Sequence, residues 1–333
     1  MKNILFTIAI WWLSASCAVC LADTAPFGVA SAYNLVALGY GSTAGNISTS
    51  ADVEGRIAAA NDVTGATTIG SNLRSDPYGS LAGGYAMVAG VGVTTSSYFN
   101  INGGGNVYAA NGGGNYNWND GGKLVSTGSD PIDFTSSTGL RTTLDNESTQ
   151  LAKLTPNGTV TLGASSKNPS WLVLSGTSKT LNVFTVTALQ FASTNNPLDI
   201  EVPAGSTVII NVEGTNVTLG TGIYFNGQQE SDSNNDSGMI LFNFPDASTV
   251  AIDGQLDGAV LAPFATLTGN SQMGGNFIAA AIGQTGEVHY DAFEGTLPST
   301  PSPTPEPGSL TLMGSGLLFM TGWLARKRLS KRA

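Results

Sequence analysis

The sequence predicts an all-β protein of short, stacked strands with one amphipathic α-helix packed along them. Apolar, β-branched runs of about four to seven residues recur through the chain, bounded by Gly, Asn, Asp or Pro, which is strand-and-turn punctuation. Several runs are apolar on successive residues, so both strand faces are covered, as in a stacked or solenoidal sheet. One segment, residues 130–155, breaks the pattern with leucines at helical spacing.

In chain order the strand runs are residues 33–38 (YNLVAL), 53–59, 171–174, 181–186, 206–212 (STVIINV), 238–244, 259–262 and 277–281. Two Asn-Gly-Gly-Gly-Asn blocks, at 102–106 and 111–115, allow two readings. They are either bends between solenoid coils, where Gly and Asn tolerate a left-handed backbone, or a flexible Gly-rich loop. No strict repeat with a period of about 20 to 50 residues is visible, so a regular repeat array is not expected. Within 130–155, Leu140, Leu144, Leu151 and Leu154 share one helical face, joined by Ile132 and Phe134 upstream. Asp130-Pro131 reads as the cap and first turn of this helix, and Pro156-Asn157-Gly158 as its end.

The two ends read as addresses rather than as fold. Residues 1–22 carry a weakly positive start, an apolar core and Cys20-Leu21-Ala22 before Asp23, the pattern of a secretory signal peptide. Both cysteines, Cys17 and Cys20, fall inside it, so a mature chain from Asp23 has no disulfide, thiol nucleophile or thiolate metal site. At the other end, after a Pro/Ser/Thr linker at 298–304, come Pro305, Glu306 and Pro307, then an uncharged apolar run at 309–325. Arg326, Lys327 and Arg328 follow at once, with Lys331 and Arg332 behind them. The run is long enough to cross a bilayer as a short transmembrane helix, and the basic tail holds its far end in the cytoplasm. The body at 23–297 keeps 7 of the 13 basic and 22 of the 23 acidic residues, a net charge near −15. That excludes nucleic acid as a partner, since backbone binding needs a basic face.

The C-terminal pattern of Pro-Glu-Pro, apolar stretch and basic end resembles the PEP-CTERM sorting signal of exopolysaccharide-producing Gram-negative bacteria. The resemblance implies transient anchoring in the inner membrane, cleavage near Pro-Glu-Pro by an exosortase, and passage outward; the alternative is an ordinary tail anchor. The body resembles a family too. Residues 33–65 (YNLVALGYGSTAGNISTSADVEGRIAAANDVTG) are similar to the opening of the choice-of-anchor A domain. Residues 181–219, with LNVF and VPAGSTVIINVEG, are similar to its core, and residues 258–295, with GAVLAPF, GGNFIAAA and GEVHYDAF, to its closing motifs. More remotely, the order resembles the ice-binding-like adhesive domains. That likeness implies a right-handed β-helix with one long α-helix packed alongside, in a single domain over 23–297.

Few residues suggest chemistry. Glu287, His289 and Asp291 would share one face of a strand, a two-carboxylate, one-imidazole metal set or else a solvated polar face. His289 is the sole histidine, and no G-x-S-x-G elbow exists for it to serve, so a Ser-His-Asp hydrolase is disfavoured. Asp232, Asn234 and Asp236 offer oxygen ligands at alternate positions for Ca²⁺, but without the glycine and distant glutamate of a calcium hand a solvated loop is the default. Asp52, Glu54 and Arg56 alternate along one strand and suggest an ion-paired rung. Tyr108, Tyr116 and Trp118, set among Gly and Asn, are either a glycan-stacking site or turn-packing aromatics. Thr67-Thr68, Thr94-Thr95 and Thr266/Thr268 are too scattered along the chain to give ordered threonine rows.

No cofactor is expected. Three functions follow. The favoured one is an exported, non-enzymatic, adhesin-like surface or matrix protein associated with exopolysaccharide, biofilm or floc, with self-association open. The second is a polysaccharide hydrolase or lyase on a β-helix, using paired acids. Ice binding is a remote third, resting on fold analogy.

Overall fold

Every strand of the main wall pairs parallel with its neighbours, so the chain returns to the same side each time it lays down a strand. The computed structural model describes residues 25–73, 76–163, 171–192, 197–220, 222–229 and 237–298. The leader at 1–22, the Asp232, Asn234 and Asp236 loop, and the whole tail from Pro305 through Arg328 lie outside these described residues.

The first wall runs Leu124–Val125, Asn106–Ala109, Tyr85–Ala89, Ile57–Ala59, Leu35–Ala37, Phe277–Gln284, Ala259–Gly269, Ile240–Asn243, Thr207–Glu213 and Leu181–Thr187. A second wall joins Asn216–Leu219, Thr249–Ile252, the later halves of Ala259–Gly269 and Phe277–Gln284, Ile47–Thr49, Val63–Gly65 and Val93–Thr94. The third wall stacks Leu256–Asp257, Met273–Gly274, Val288–His289, a bridge at Val53, Thr68–Ile69, Phe99–Ile101 and Tyr116–Trp118. Three parallel walls closed on one interior make a β-solenoid. A fourth sheet, Thr159–Leu162, Leu172–Ser175, Leu198–Glu201, Ile223–Phe225 and Gln228–Gln229, carries the two antiparallel ladders found among the described residues, one at each edge.

Spatial order is not chain order. Leu35–Ala37 lies in mid-wall, paired with Ile57–Ala59 on one side and Phe277–Gln284 on the other. From there the coils proceed outward to Leu124–Val125. The chain then crosses back through the helix Leu140–Leu151 and re-enters at the opposite end with Leu181–Thr187. Successive coils return until Phe277–Gln284 meets Leu35–Ala37, so the first and last coils share a seam. Parallel strands need such a crossover, since no tight turn can join them.

The helix fits the wall by a coincidence of rises. Three helical residues advance about 4.5 Å, close to the roughly 4.8 Å between strands. Ser148 and Leu151 therefore meet Asn243 and Asn211, which are register partners on adjacent strands. At the helix start the Arg141 Nε and Nη2 groups donate to the Leu38 carbonyl at 2.9 and 2.5 Å. Leu140, Leu144 and Leu151 are buried against the outer side of the first wall with Val36, Leu241, Leu261 and Ile278. The inner side of the same strands, including Leu35, Phe242, Val260 and Phe277, faces the solenoid interior. Covering on both sides explains why these runs are apolar on successive residues.

The helix is shorter than its sequence pattern predicts. It begins at Leu140, ten residues after the expected cap, and no side chain caps Gly139. Asp130 Oδ1 accepts from the Ile132 amide at 2.9 Å, and Asp133 Oδ1 from the Thr135 and Ser136 amides at 3.1 and 3.0 Å. These side-chain turns compete with helix. Ile132 and Phe134 are buried at alternate positions, an extended rather than helical spacing.

The Gly-rich blocks are bends between coils. Gly103, Gly104 and Gly105, and again Gly112, Gly113 and Gly114, all have positive φ. A side chain at Gly113 would stand 2.3 Å from the Val93 carbonyl oxygen, so the corner requires glycine for space as well as for backbone freedom. Along the first wall the coil length varies from 17 residues (Val260↔Phe277) to 32 (Val208↔Ile240).

Candidate functional site

With the first wall covered by the helix, the second and third walls present their outer positions to solvent. Along the second wall, Val63, Val93, Val217, Val250, Leu267 and Ile282 point inward. Their neighbours point outward and align by strand register into two ranks. One rank reads Asn216, Thr249, Thr266, Ala281. The other reads Thr218, Ala251, Thr268, Gly283, Ser48, Thr64, Thr94 across seven coils. No position in either rank is charged or larger than Asn. This corrects the expectation that the threonines are too scattered to align. Thr94, Thr266 and Thr268 share this wall although about 170 residues of chain separate the first from the others, because the seam brings the two arms together. Thr68 belongs to the third wall, and Thr67 is buried.

The outer positions of the third wall carry amides and carboxylates. Asn117 Nδ2 donates to Asn100 Oδ1 at 2.9 Å, and Asn119 Nδ2 to Asn102 Oδ1 at 2.5 Å, one coil apart in each case. Nearer the seam the wall turns acidic. Val53 and Val288 pair inward, so Asp52 and Glu54 of the first coil stand beside Glu287 and His289 of the last. The His289 Nδ1 lies 3.4 Å from Glu54 Oε1, with both side chains partly buried. Glu54 Oε2 accepts from the Tyr290 amide at 2.9 Å and from Asn72 Nδ2 at 3.3 Å. Ligand-capable atoms of Glu54, Glu287 and His289 all lie within 4.8 Å of one another.

Asp291 does not join this group. The strand ends after Val288–His289, and the chain then carries the Asp291 carboxylate over Gly274, where the Asp257 carboxylate also reaches. A β-carbon at Gly274 would stand 2.9 Å from an oxygen of each. The missing side chain at Gly274 leaves room for both acids. The anticipated set of Glu287, His289 and Asp291 is thus replaced by one in which Glu54 supplies the second carboxylate. Sequence reasoning missed Glu54 because the seam that places it is a long-range contact.

The expected rung of Asp52, Glu54 and Arg56 does not form either. Arg56 turns away and pairs with Asp76, and the Tyr290 hydroxyl donates to that same carboxylate. Burial lowers the Arg56 pKa and raises that of Tyr290 above the ordinary phenol range. Asp52 instead accepts from the Thr67 hydroxyl at 2.9 Å.

The three candidate stacking aromatics are not brought together. Tyr108 is buried on the outer side of the first wall, edge-on to Tyr85 at 6.4 Å. Tyr116 and Trp118 lie on the third wall with rings 5.1 Å apart, packed on the interior core, while Asn117 between them faces solvent. Tyr116 stacks on Phe99 and donates its hydroxyl to the Gly113 carbonyl at 2.9 Å, and burial pushes its pKa up to about 12. As inward positions of the terminal coil, these two rings close the open end of the interior. That use of aromatic area competes with a sugar platform.

Residues 26–290 match the family model of the ice-binding-like adhesive domain, and residues 303–328 match the PEP-CTERM protein-sorting motif. No curated protein matches the chain. Among solved structures, an ice-binding protein of the Antarctic ascomycete Antarctomyces psychrotrophicus aligns at 12% identity and TM-score 0.35, over 80% of this chain and 97% of that one. The ice-binding protein of an Arctic yeast aligns at 14% identity and TM-score 0.38, over 86% and 99%. A domain of a Shewanella frigidimarina ice-binding protein aligns at 15% identity and TM-score 0.37, over 80% and 98%.

Proposed function

Because the chain belongs to the family of ice-binding-like adhesive domains and ends in a PEP-CTERM sorting motif, we propose that it is an exported, non-catalytic adhesive protein of the cell surface or matrix. Its leader at 1–22 directs export, and an exosortase cuts near Pro305–Pro307 and releases the body from the inner membrane. The coils wind right-handed, as parallel crossovers nearly always do.

The second wall carries the reading. Its two ranks of small, uncharged side chains repeat at the coil spacing of roughly 4.8 Å. Such a surface suits an extended, periodic partner rather than a compact small molecule, which would need a concave pocket with convergent polar groups. The partner in this reading is the extracellular polysaccharide of the host or the surface of a neighbouring cell. An acidic body with few cations suits neutral polymer and disfavours anionic surfaces. The test is cosedimentation of the exported protein with purified exopolysaccharide, with reducing ends measured in the same sample. Saturable binding without new reducing ends supports adhesion; release of reducing ends or unsaturated sugars contradicts it.

Ice is a second reading, favoured by one observation: six of the eleven rank positions are threonine, offering a methyl and a hydroxyl side by side at the coil spacing. Partition of the protein into a growing ice front tests it, and full exclusion from the ice rejects it.

A further inference from the structure

We propose that Glu54, Glu287 and His289 form a divalent transition-metal site, zinc being the type case, that staples the first coil of the solenoid to the last. The ligands come from both sides of the seam, Glu54 from the start of the chain and Glu287 and His289 from its end. Three observations converge on these side chains.

The spacing is that of a coordination shell. A 3.4 Å gap between His289 Nδ1 and Glu54 Oε1 is long for a charge-assisted hydrogen bond, about 2.7–2.9 Å. Two ligands held at about 2.0–2.1 Å from a tetrahedral zinc ion stand roughly 3.4 Å apart. The whole set stays within 4.8 Å, which a single ion can span with small side-chain adjustments.

Outer contacts already orient the set. The Tyr290 amide and Asn72 hold Glu54 Oε2, leaving Oε1 toward the imidazole. Asn34 Nδ2 donates to the His289 carbonyl at 3.0 Å and fixes the backbone that carries the ring. Such outer partners are the usual support of a metal ligand.

Among the described residues, backbone pairing across the seam is sparsest on this wall. The first and second walls cross it with ladders of three register pairs each, whereas the third crosses it through the single bridge Val53↔Val288. Glu54 and Glu287 meet there with Asp52 alongside, and Arg56 is engaged by Asp76 instead of offsetting them. A bound cation would relieve that like-charge repulsion and close a loop spanning most of the chain. One imidazole with two carboxylates favours zinc, cobalt or nickel over calcium or magnesium, which take oxygen-only shells.

The experiment uses the full-length protein without a histidine tag, stripped by chelator and titrated with Zn²⁺ alone, by calorimetry and thermal unfolding. One zinc per chain with a raised midpoint is expected, while Ca²⁺ and Mg²⁺ at the same concentration leave the midpoint unchanged. His289→Ala and Glu54→Gln should each weaken zinc binding by more than about tenfold, the cost of losing even an outer partner. Cobalt loading of the unsubstituted protein gives a readout independent of any variant: intense visible bands of a tetrahedral, nitrogen-containing site. An unchanged midpoint with zinc, equal affinity in His289→Ala, or the weak spectrum of hydrated cobalt would each overturn the site and leave adventitious binding by surface carboxylates.

Discussion

Ser148 and Asn243 hold each other through reciprocal hydrogen bonds: the Ser148 hydroxyl donates to Asn243 Oδ1 at 2.6 Å, and Asn243 Nδ2 donates to the Ser148 carbonyl at 2.9 Å. Asn243 also donates to Asn211 Oδ1 at 2.8 Å, and Asn211 Nδ2 reaches the Leu151 carbonyl at 2.8 Å. The wall thereby adds a second bond to two carbonyls of the last helical turn, Ser148, which also accepts from the Ala152 amide at 3.1 Å, and Leu151, which also accepts from the Leu154 amide at 3.2 Å. Removing Asn243 strips bonds from a buried hydroxyl, a buried carbonyl and a buried amide together. Asn243→Ala should cost about 2 kcal/mol or more, and Ser148→Ala about 1 kcal/mol, in urea unfolding.

Leu144 seats the helix. It is 1% exposed and packed on the outer side of the first wall. Leu144→Ala should cost about 3 kcal/mol, as buried leucine truncations do. An unchanged urea midpoint would show that the helix contributes nothing to the folded solenoid.

The strand runs were legible because each is short, apolar and punctuated. All eight overlap observed strands, among them Leu181–Thr187 and Thr207–Glu213. The helix face of Leu140, Leu144 and Leu151 was legible for the same reason, but its start was not, since the turns at Asp130 and Asp133 are decided by local side-chain bonds. The stacking order was hidden by variable coil length, which removes any fixed period from the sequence. With it were hidden the partners at the seam. Nothing near Glu54 in the sequence announces His289, and nothing near Thr64 announces Thr268. The aromatics at Tyr108, Tyr116 and Trp118 were legible as a cluster only along the chain; strand alternation and the turn of a coil send them to different sides.

Asp145 gives the stability a pH dependence. Burial raises its pKa from 3.8 to about 6, partly offset by Arg141, and among the described residues its Oδ1 has no hydrogen-bond partner. The folded state therefore holds this proton more tightly than the unfolded chain. Its contribution is fully present below pH 3.8 and is lost as pH rises through about 6. Asp145→Asn should raise the unfolding midpoint at pH 7.5 by the equivalent of about 1 kcal/mol, allowing for solvent screening, and leave it unchanged near pH 3.5. A gain of equal size at both pH values would point to a cause other than ionisation.

Processing has a direct readout in mass. Material secreted by the native host should begin near Asp23 and end near Pro305–Pro307. Bulk protein still carrying residues 310–325 would favour a permanent tail anchor over a sorting signal.

Placing bulk and charge on the ranked wall tests the adhesive account most directly. Thr64 and Thr268 lie in the same rank on either side of the seam, with their side chains outward. The measurement is cosedimentation of the Thr64→Lys, Thr268→Lys double variant with the host's exopolysaccharide, beside Asn100→Lys on the third wall as a control. The account predicts that the double variant loses at least about tenfold in affinity, the work of roughly 1.4 kcal/mol, while its unfolding midpoint and the binding of the control stay unchanged. Full binding by the double variant, or equal loss in Asn100→Lys, would contradict the second wall as the adhesive surface.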